Sequence, residues 1–187
     1  MSRIYLVRHG RPSAVWGDAD HDPGLDLEGQ AQAALAAKAL LALPLDERPI
    51  KAVSSPMRRC RETARPFVQA LGSELEIADA VSEIPTPRTG GDRSAWLSRA
   101  LGGRWPDITG DIDYGAWRAA VLAAVTERPG TAVFTHFVAI NSVVSQLMGT
   151  DDVTVFRPGH ASITVLEAAG GELRLISRGA EAATGVL

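Results

Sequence analysis

Two histidines and three arginines stand where short apolar runs end. Residues 4–7 lead into Arg8-His9-Gly10, residues 51–54 into Ser55-Pro56 with Arg58 and Arg59 in the next turn, and residues 131–135 into His136. Packing requires none of these side chains at those points. In an open α/β sheet ligands bind outside the carboxyl ends of the strands, so the three run-ends would converge on one crevice. Two imidazoles and two or three guanidinium groups sharing a crevice make an anion site. A phosphomonoester suits it: near neutral pH it carries about −1.5 to −2 charges on three acceptor oxygens, which arginine meets with paired donors while staying charged. A histidine among arginines can attack phosphorus only when neutral. Its reference pKa is about 6.5 and neighbouring cations disfavour the protonated form, so Arg8 and Arg59 would keep His9 nucleophilic near pH 7. One ring nitrogen would attack while the other donates to a group that fixes the tautomer. His136 would hydrogen-bond an equatorial oxygen and stabilise the spreading negative charge.

The elements that must hold these residues alternate between strand and helix. Residues 4–7 mix aromatic and β-branched types and predict a buried strand. A loop rich in Gly, Pro and Asp covers 10–25. Asp26 is then an N-cap, with Glu28 in the first turn, for an Ala/Leu helix ending near Leu43. A second strand occupies 51–54. Ser55-Pro56 predicts a helix start, serine as cap and proline at the first helical position. That helix would run to about Leu71, aim its free N–H groups at the crevice, and kink or break at Pro66. Further strands are expected over 74–77, 131–135, 162–168 and 172–177, the last two joined by a Gly170-Gly171 hairpin turn. Further helices are expected over 93–101, 114–126 and 137–148. This order predicts one α/β domain over 1–187, its sheet mostly parallel with one antiparallel strand near the end and right-handed crossovers. Between 82 and 113 periodicity is poor and Gly and Pro are frequent, which marks a lid or insertion.

A chain of 187 residues with 45% hydrophobic and 22% charged positions has the makings of one soluble domain with a real core. Its net charge of −3 argues against a broad basic surface for nucleic acid or an anionic membrane, while leaving room for a small positive pocket. The single cysteine, Cys60, cannot form an internal disulfide and fits a reducing compartment. Set between Arg59 and Arg61 with no histidine nearby in sequence, it reads as a packed thiol. The first residues run straight into a strand without an apolar leader, and the apolar stretch 33–45 is interrupted by Lys38 and Pro44. A cytoplasmic protein is expected, with neither membrane nor nucleic acid as partner. His21-Asp22 lacks a second closely spaced ligand pair, so no metal is expected, and no other cofactor.

Several of these stretches also carry a family resemblance. Leu6-Val7-Arg8-His9-Gly10 resembles the signature of the histidine phosphatase superfamily, which contains cofactor-dependent phosphoglycerate mutases and many phosphatases. Asp26-Leu27-Glu28-Gly29-Gln30-Ala31 is similar to the family's helix-opening motif. The segment from Ser54-Ser55-Pro56-Met57 through Arg58-Arg59-Cys60-Arg61-Glu62-Thr63-Ala64 is similar to its second motif, with the catalytic arginine at Arg59 rather than Arg58. Thr135-His136-Phe137 resembles the second-histidine motif. The resemblance implies a phosphoglycerate mutase-like, three-layer α/β/α fold and a phosphohistidine intermediate on His9, with Arg8, Arg59 and His136 forming the phosphate pocket. It further implies a general acid, usually a glutamate after the third strand. Glu83 stands there, to protonate the leaving alkoxide and then deprotonate water. Gly10 and Arg11 are expected as additional phosphate contacts. The chain departs from the family where Arg11-Pro12 replaces the common Glu-Thr, and where Pro85-Thr86-Pro87-Arg88-Thr89-Gly90-Gly91 replaces the usual continuation after the acid.

The function expected on these grounds is phosphomonoester hydrolysis of a small phosphorylated metabolite. A phosphoglycerate mutase, a protein phosphohistidine phosphatase and a non-catalytic phosphate-binding module are the alternatives. His21 and His160 could reach the pocket from loops and are read by default as partly exposed loop histidines, Arg58 and Arg61 as surface residues, and Trp96, Trp105 and Trp117 as core or lid packing. The oligomeric state is open, a homodimer being one option.

Overall fold

The computed structural model describes residues 2–14, 22–88 and 92–182. Six strands form one sheet in the order β3-β2-β4-β1-β5-β6: β1 (Ser2–Arg8), β2 (Lys51–Ser54), β3 (Leu75–Ile77), β4 (Thr131–Thr135), β5 (Ile163–Ala169) and β6 (Glu172–Ser177). β1, β4, β2 and β3 pair in parallel, whereas β5 runs antiparallel to both β1 and β6. The expected single reversed strand is therefore β5. Gly170 and Gly171, both at positive φ (61° and 85°), turn the chain from β5 into β6, a conformation glycine adopts without steric cost.

Helices cover both faces. Period-two alternation along β1 sends Tyr5 and Val7 to one side, where with Ala52, Ala132 and Phe134 they meet α1 (Leu27–Leu41) and α2 (Arg58–Leu71) through Ala36, Leu40, Cys60 and Phe67. Ile4 and Leu6, with Val53 and Val133, point the other way, onto α4 (Tyr114–Thr126) and α5 (Phe137–Met148) through Val121, Val125, Ile140, Val143 and Val144. Strands buried on both faces carry continuous apolar runs rather than alternating ones, which is why 4–7 and 131–135 are legible as central strands. The result is the three-layer α/β/α arrangement. α3 (Arg93–Leu101) belongs to the segment between β3 and α4, which packs Ile84 and Trp105 against Tyr114, Phe137, Val138 and Val153. Trp105 is buried, its Nε1–H donating to Ser145 Oγ at 3.2 Å, so it packs rather than lining an open wall. No helix among the described residues is long and apolar enough to cross a membrane.

Two expectations need correction. α2 begins at Arg58, not Pro56, and its N-cap Met57 has no side-chain cap; the Ser55 hydroxyl is engaged elsewhere, as described below. Nor does Pro66 break α2. Proline removes one N–H rung, but Cys60, Thr63, Ala64 and Phe67 are buried on the helix's inner side across that point and hold both halves on the sheet.

Candidate active site

The sheet register brings three chain exits together. Arg8 pairs with Thr135 and Ser54 with Phe134, so His9, His136 and Ser55 leave neighbouring strands at the same edge. His9 N–H donates to Thr135 O and Ser55 N–H to Phe134 O, both at 3.0 Å. The rings of His9 and His136 lie 5.3 Å apart, edge to face. Arg8, His9, Arg59 and His136, expected from sequence to share a cavity, are all buried here.

Each side chain has a local reason for its position. His9 Nδ1 lies 2.8 Å from Gly10 O. A carbonyl only accepts, so Nδ1 carries the proton and Nε2 holds the lone pair. Gly10 N–H donates to Thr63 Oγ1, and Thr63 Oγ1 donates to Arg59 O, which links the His9 loop to the first turns of α2. Gly10 also crosses α1 closely: a Cβ there would stand 2.6 Å from Gly29 O, and one on Gly29 would stand 2.1 Å from Arg11 O. Asp26 caps α1 by accepting from Gly29 N–H at 2.7 Å, as its type predicts.

Arg59 NH2 donates to His136 Nδ1 at 3.2 Å, which leaves the proton of a neutral imidazole on Nε2, 2.8 Å from Ser55 Oγ. Ser55 thus orients His136, a role hidden behind its helix-cap signature. Arg8 donates NH1 to Pro158 O at 2.8 Å and lies over the Phe137 ring, while its Nε is buried without a partner. Among the described residues neither Arg8 nor Arg59 sits in a salt bridge, whereas Arg11 and Arg58 do. Two buried cations without an ion-pair partner are costly unless an anion joins them.

Electrostatics follow from this burial. His9 is held well below the usual histidine range, first by burial and then by His136, Arg59 and Arg8; the arginines named from sequence act, but desolvation leads. His136 is depressed in the same way. Burial lowers Arg8 to about 10, still charged at neutral pH. The Cys60 thiol, fully buried and 3.3 Å from His136 Nε2, is pushed up by burial and stays protonated.

Glu83 arrives from the turn after β3. Its Oε1 accepts from Val138 N–H at 3.0 Å, Ile84 N–H at 3.0 Å and Ala139 N–H at 3.3 Å. The carboxyl therefore caps α5, whose own N-cap, His136, offers no side-chain bond. Burial raises its pKa against those N–H groups and against Arg59 and Arg8, which favours the neutral carboxyl.

Arg11 is placed differently from the rest. Its guanidinium is half exposed, with Nε 2.5 Å from Asp26 Oδ2 and NH1 on Glu28, so a phosphate contact would first require it to leave two carboxylates. His21 lies outside the described residues. Sequence reasoning assigned no site role to Ser55 or Thr63, although both stand in the second motif. His160, named from sequence as able to reach the pocket but read by default as a loop histidine, has its ring centroid 5.8 Å from that of His9.

Comparison with known proteins bears on the fold and the family. No curated protein sequence matches the chain. Among solved structures, phosphoserine phosphatase from Entamoeba histolytica superposes with a TM-score of 0.76 at 18% identity, covering 96% of this chain and 98% of that one. A mycobacterial glucosyl-3-phosphoglycerate phosphatase gives 0.70 at 20% identity over 97% and 100%. A mycobacterial hydrolase gives 0.73 at 20% over the same shares. At such identities these likenesses establish the fold. The sequence model of the histidine phosphatase superfamily, branch 1, matches residues 4–109. That stretch exceeds half of the chain and holds Arg8, His9, Arg59 and Glu83 in order, and the chain belongs to that superfamily.

Proposed function

We propose that the protein is a phosphomonoester hydrolase that works through a phosphohistidine on His9, with a small phosphorylated metabolite as substrate. The observation that carries this reading is the pair of buried guanidinium groups, Arg8 and Arg59, without an ion-pair partner among the described residues, beside an imidazole whose Nδ1 is fixed on Gly10 O. Arg8 and Arg59 neutralise the phosphoryl oxygens, and the neutral His136 turns its Nε2–H from Ser55 Oγ to one of them. The His9 Nε2 lone pair forms a bond to phosphorus as the P–O ester bond breaks, and Glu83 gives its proton to the departing alkoxide. Water then attacks phosphorus and Glu83 takes its proton. The N–P bond breaks with its electron pair returning to His9, releasing inorganic phosphate. The names of the structural neighbours, which include phosphatases of phosphoserine and of glucosyl-3-phosphoglycerate, support a metabolite-sized substrate.

The test is hydrolysis of p-nitrophenyl phosphate and of a panel of phosphorylated metabolites by wild type and His9→Ala. Wild type should turn over with acid-labile phosphate trapped on the protein, and His9→Ala should do neither. Replacing Arg59 by Ala should lower kcat/KM by on the order of 10² or more, the usual worth of a donor to developing charge. Near-native turnover by His9→Ala would refute the mechanism.

A further inference from the structure

The reversed strand brings a third imidazole to the site. β1 lies between β4 and β5 in the sheet, and because β5 runs antiparallel its start lies at the edge where β1 and β4 end. His136 follows β4 and His160 precedes β5, so the two flank His9 from opposite sides, with ring centroids 5.3 and 5.8 Å from it. The turn carrying His160 is tied to the nucleophile's own backbone: Ala161 N–H donates to His9 O at 3.2 Å, and Ser162 N–H to Gly159 O at 3.1 Å. Ala161 holds a positive φ of 55°, the one non-glycine among the described residues to do so. A conformation that costs a non-glycine residue about 1–3 kcal/mol persists only where its surroundings enforce it. The neighbouring stretch serves the site too, since Pro158 O accepts from Arg8.

His160 itself is only partly buried, and neither ring nitrogen has a hydrogen-bond partner among the described residues. Burial and then Arg8 and Arg11 hold its pKa down at about 4, against the opposite pull of Asp26. Near neutral pH it is an uncharged ring with one donor and one acceptor nitrogen. The phosphoryl oxygens already have Arg8, Arg59 and His136. What remains for a ring on the far side of His9 is the rest of the substrate.

We propose that His160 is a specificity-determining residue that donates a hydrogen bond to an oxygen, hydroxyl or carboxylate, on the alcohol part of the substrate close to the ester. This rests on the phosphatase reading above. A site built to bond an oxygen rejects an analogue lacking it far more strongly than an apolar pocket rejects an added group.

The test compares kcat/KM of wild type, His160→Ala and His160→Asn on 3-phosphoglycerate, glycerol 3-phosphate and propyl phosphate. Wild type should favour the two oxygen-bearing esters. His160→Ala should lose on the order of 10-fold more on them than on propyl phosphate, carried by KM, as for one lost hydrogen bond in a binding site. His160→Asn, which keeps an N–H donor, should recover part of the preference. A loss confined to 3-phosphoglycerate identifies a carboxylate as the group read, and a loss shared by both oxygen-bearing esters identifies the hydroxyl they have in common. Equal losses on all three esters, or none, would overturn the proposal, the first marking a structural role for the turn. If wild type hydrolyses neither these esters nor p-nitrophenyl phosphate, the phosphatase reading falls and this inference with it.

Discussion

Glu83 is pulled two ways. Burial favours its neutral acid, while the N–H groups of Val138 and Ala139 at the start of α5, that of Ile84 and the nearby Arg59 and Arg8 favour the carboxylate. Burial wins, and the carboxyl is raised above the ordinary glutamate range. Protonating an alkoxide requires the acid form, so kcat/KM for an alkyl phosphate should fall as pH rises through that raised value. Glu83→Gln should lower the alkyl phosphate rate by about 10²–10⁴, the range for a lost general acid, and flatten the alkaline limb. p-Nitrophenyl phosphate, whose leaving group needs no proton, should suffer much less. An equal loss on both esters across pH would assign Glu83 to capping α5 alone. The position after the third strand was readable; the helix-capping contact was not, because its partners lie 55 and 56 residues away.

The elements meet most tightly where the His9 loop crosses α1. Gly10 and Gly29 are needed there for their missing Cβ atoms, since each would drive a side chain into the other segment's backbone. Backbone cannot yield as a flexible side chain can. Gly29→Ala should therefore destabilise the protein by about 1–3 kcal/mol, the range for overpacking, or roughly 2–12 °C in Tm for a chain of this size. Because Gly10 O fixes the His9 tautomer, activity should fall along with Tm in calorimetry and assay; a native Tm would mean that the crossing relaxes freely. Asp26 and its helix were legible because N-caps leave a local signature. Ser55 carried the same signature and misled, because its hydroxyl accepts from Met57 N–H at 3.3 Å, one residue before the helix begins, and from His136 81 residues away.

Over the whole molecule, the histidines set how stability depends on pH. His9, His136 and His160 are all held below the ordinary value, the last at about 4. Between about pH 6.5 and 4 the unfolded chain binds protons at these positions that the folded chain refuses. Stability must therefore fall as pH drops through that window. Asp26 and Glu62, whose pKa values are lowered, add to the loss at its acid end. Glu83, raised, opposes it by binding a proton in the fold above the unfolded value. Three groups against one predict a Tm at pH 5 below that at pH 7, with a shallower decline in His160→Ala than in wild type. Thermal melts across that range would check both, and a flat profile would contradict the buried, neutral imidazoles.

Taken alone, the chain's residues determined the alternation of strands and helices, the reversed strand near the end and the grouping of Arg8, His9, Arg59 and His136, because apolar periodicity and strand-end chemistry are written over a few neighbouring positions. Tertiary structure alone decided where Arg11, Ser55 and His160 sit and what they touch. Their partners sit on other elements: two carboxylates on the cap and first turn of α1, an imidazole after β4, and the face of His9 reached by an antiparallel strand. Such contacts depend on strand order and direction, and no local pattern of residues encodes either.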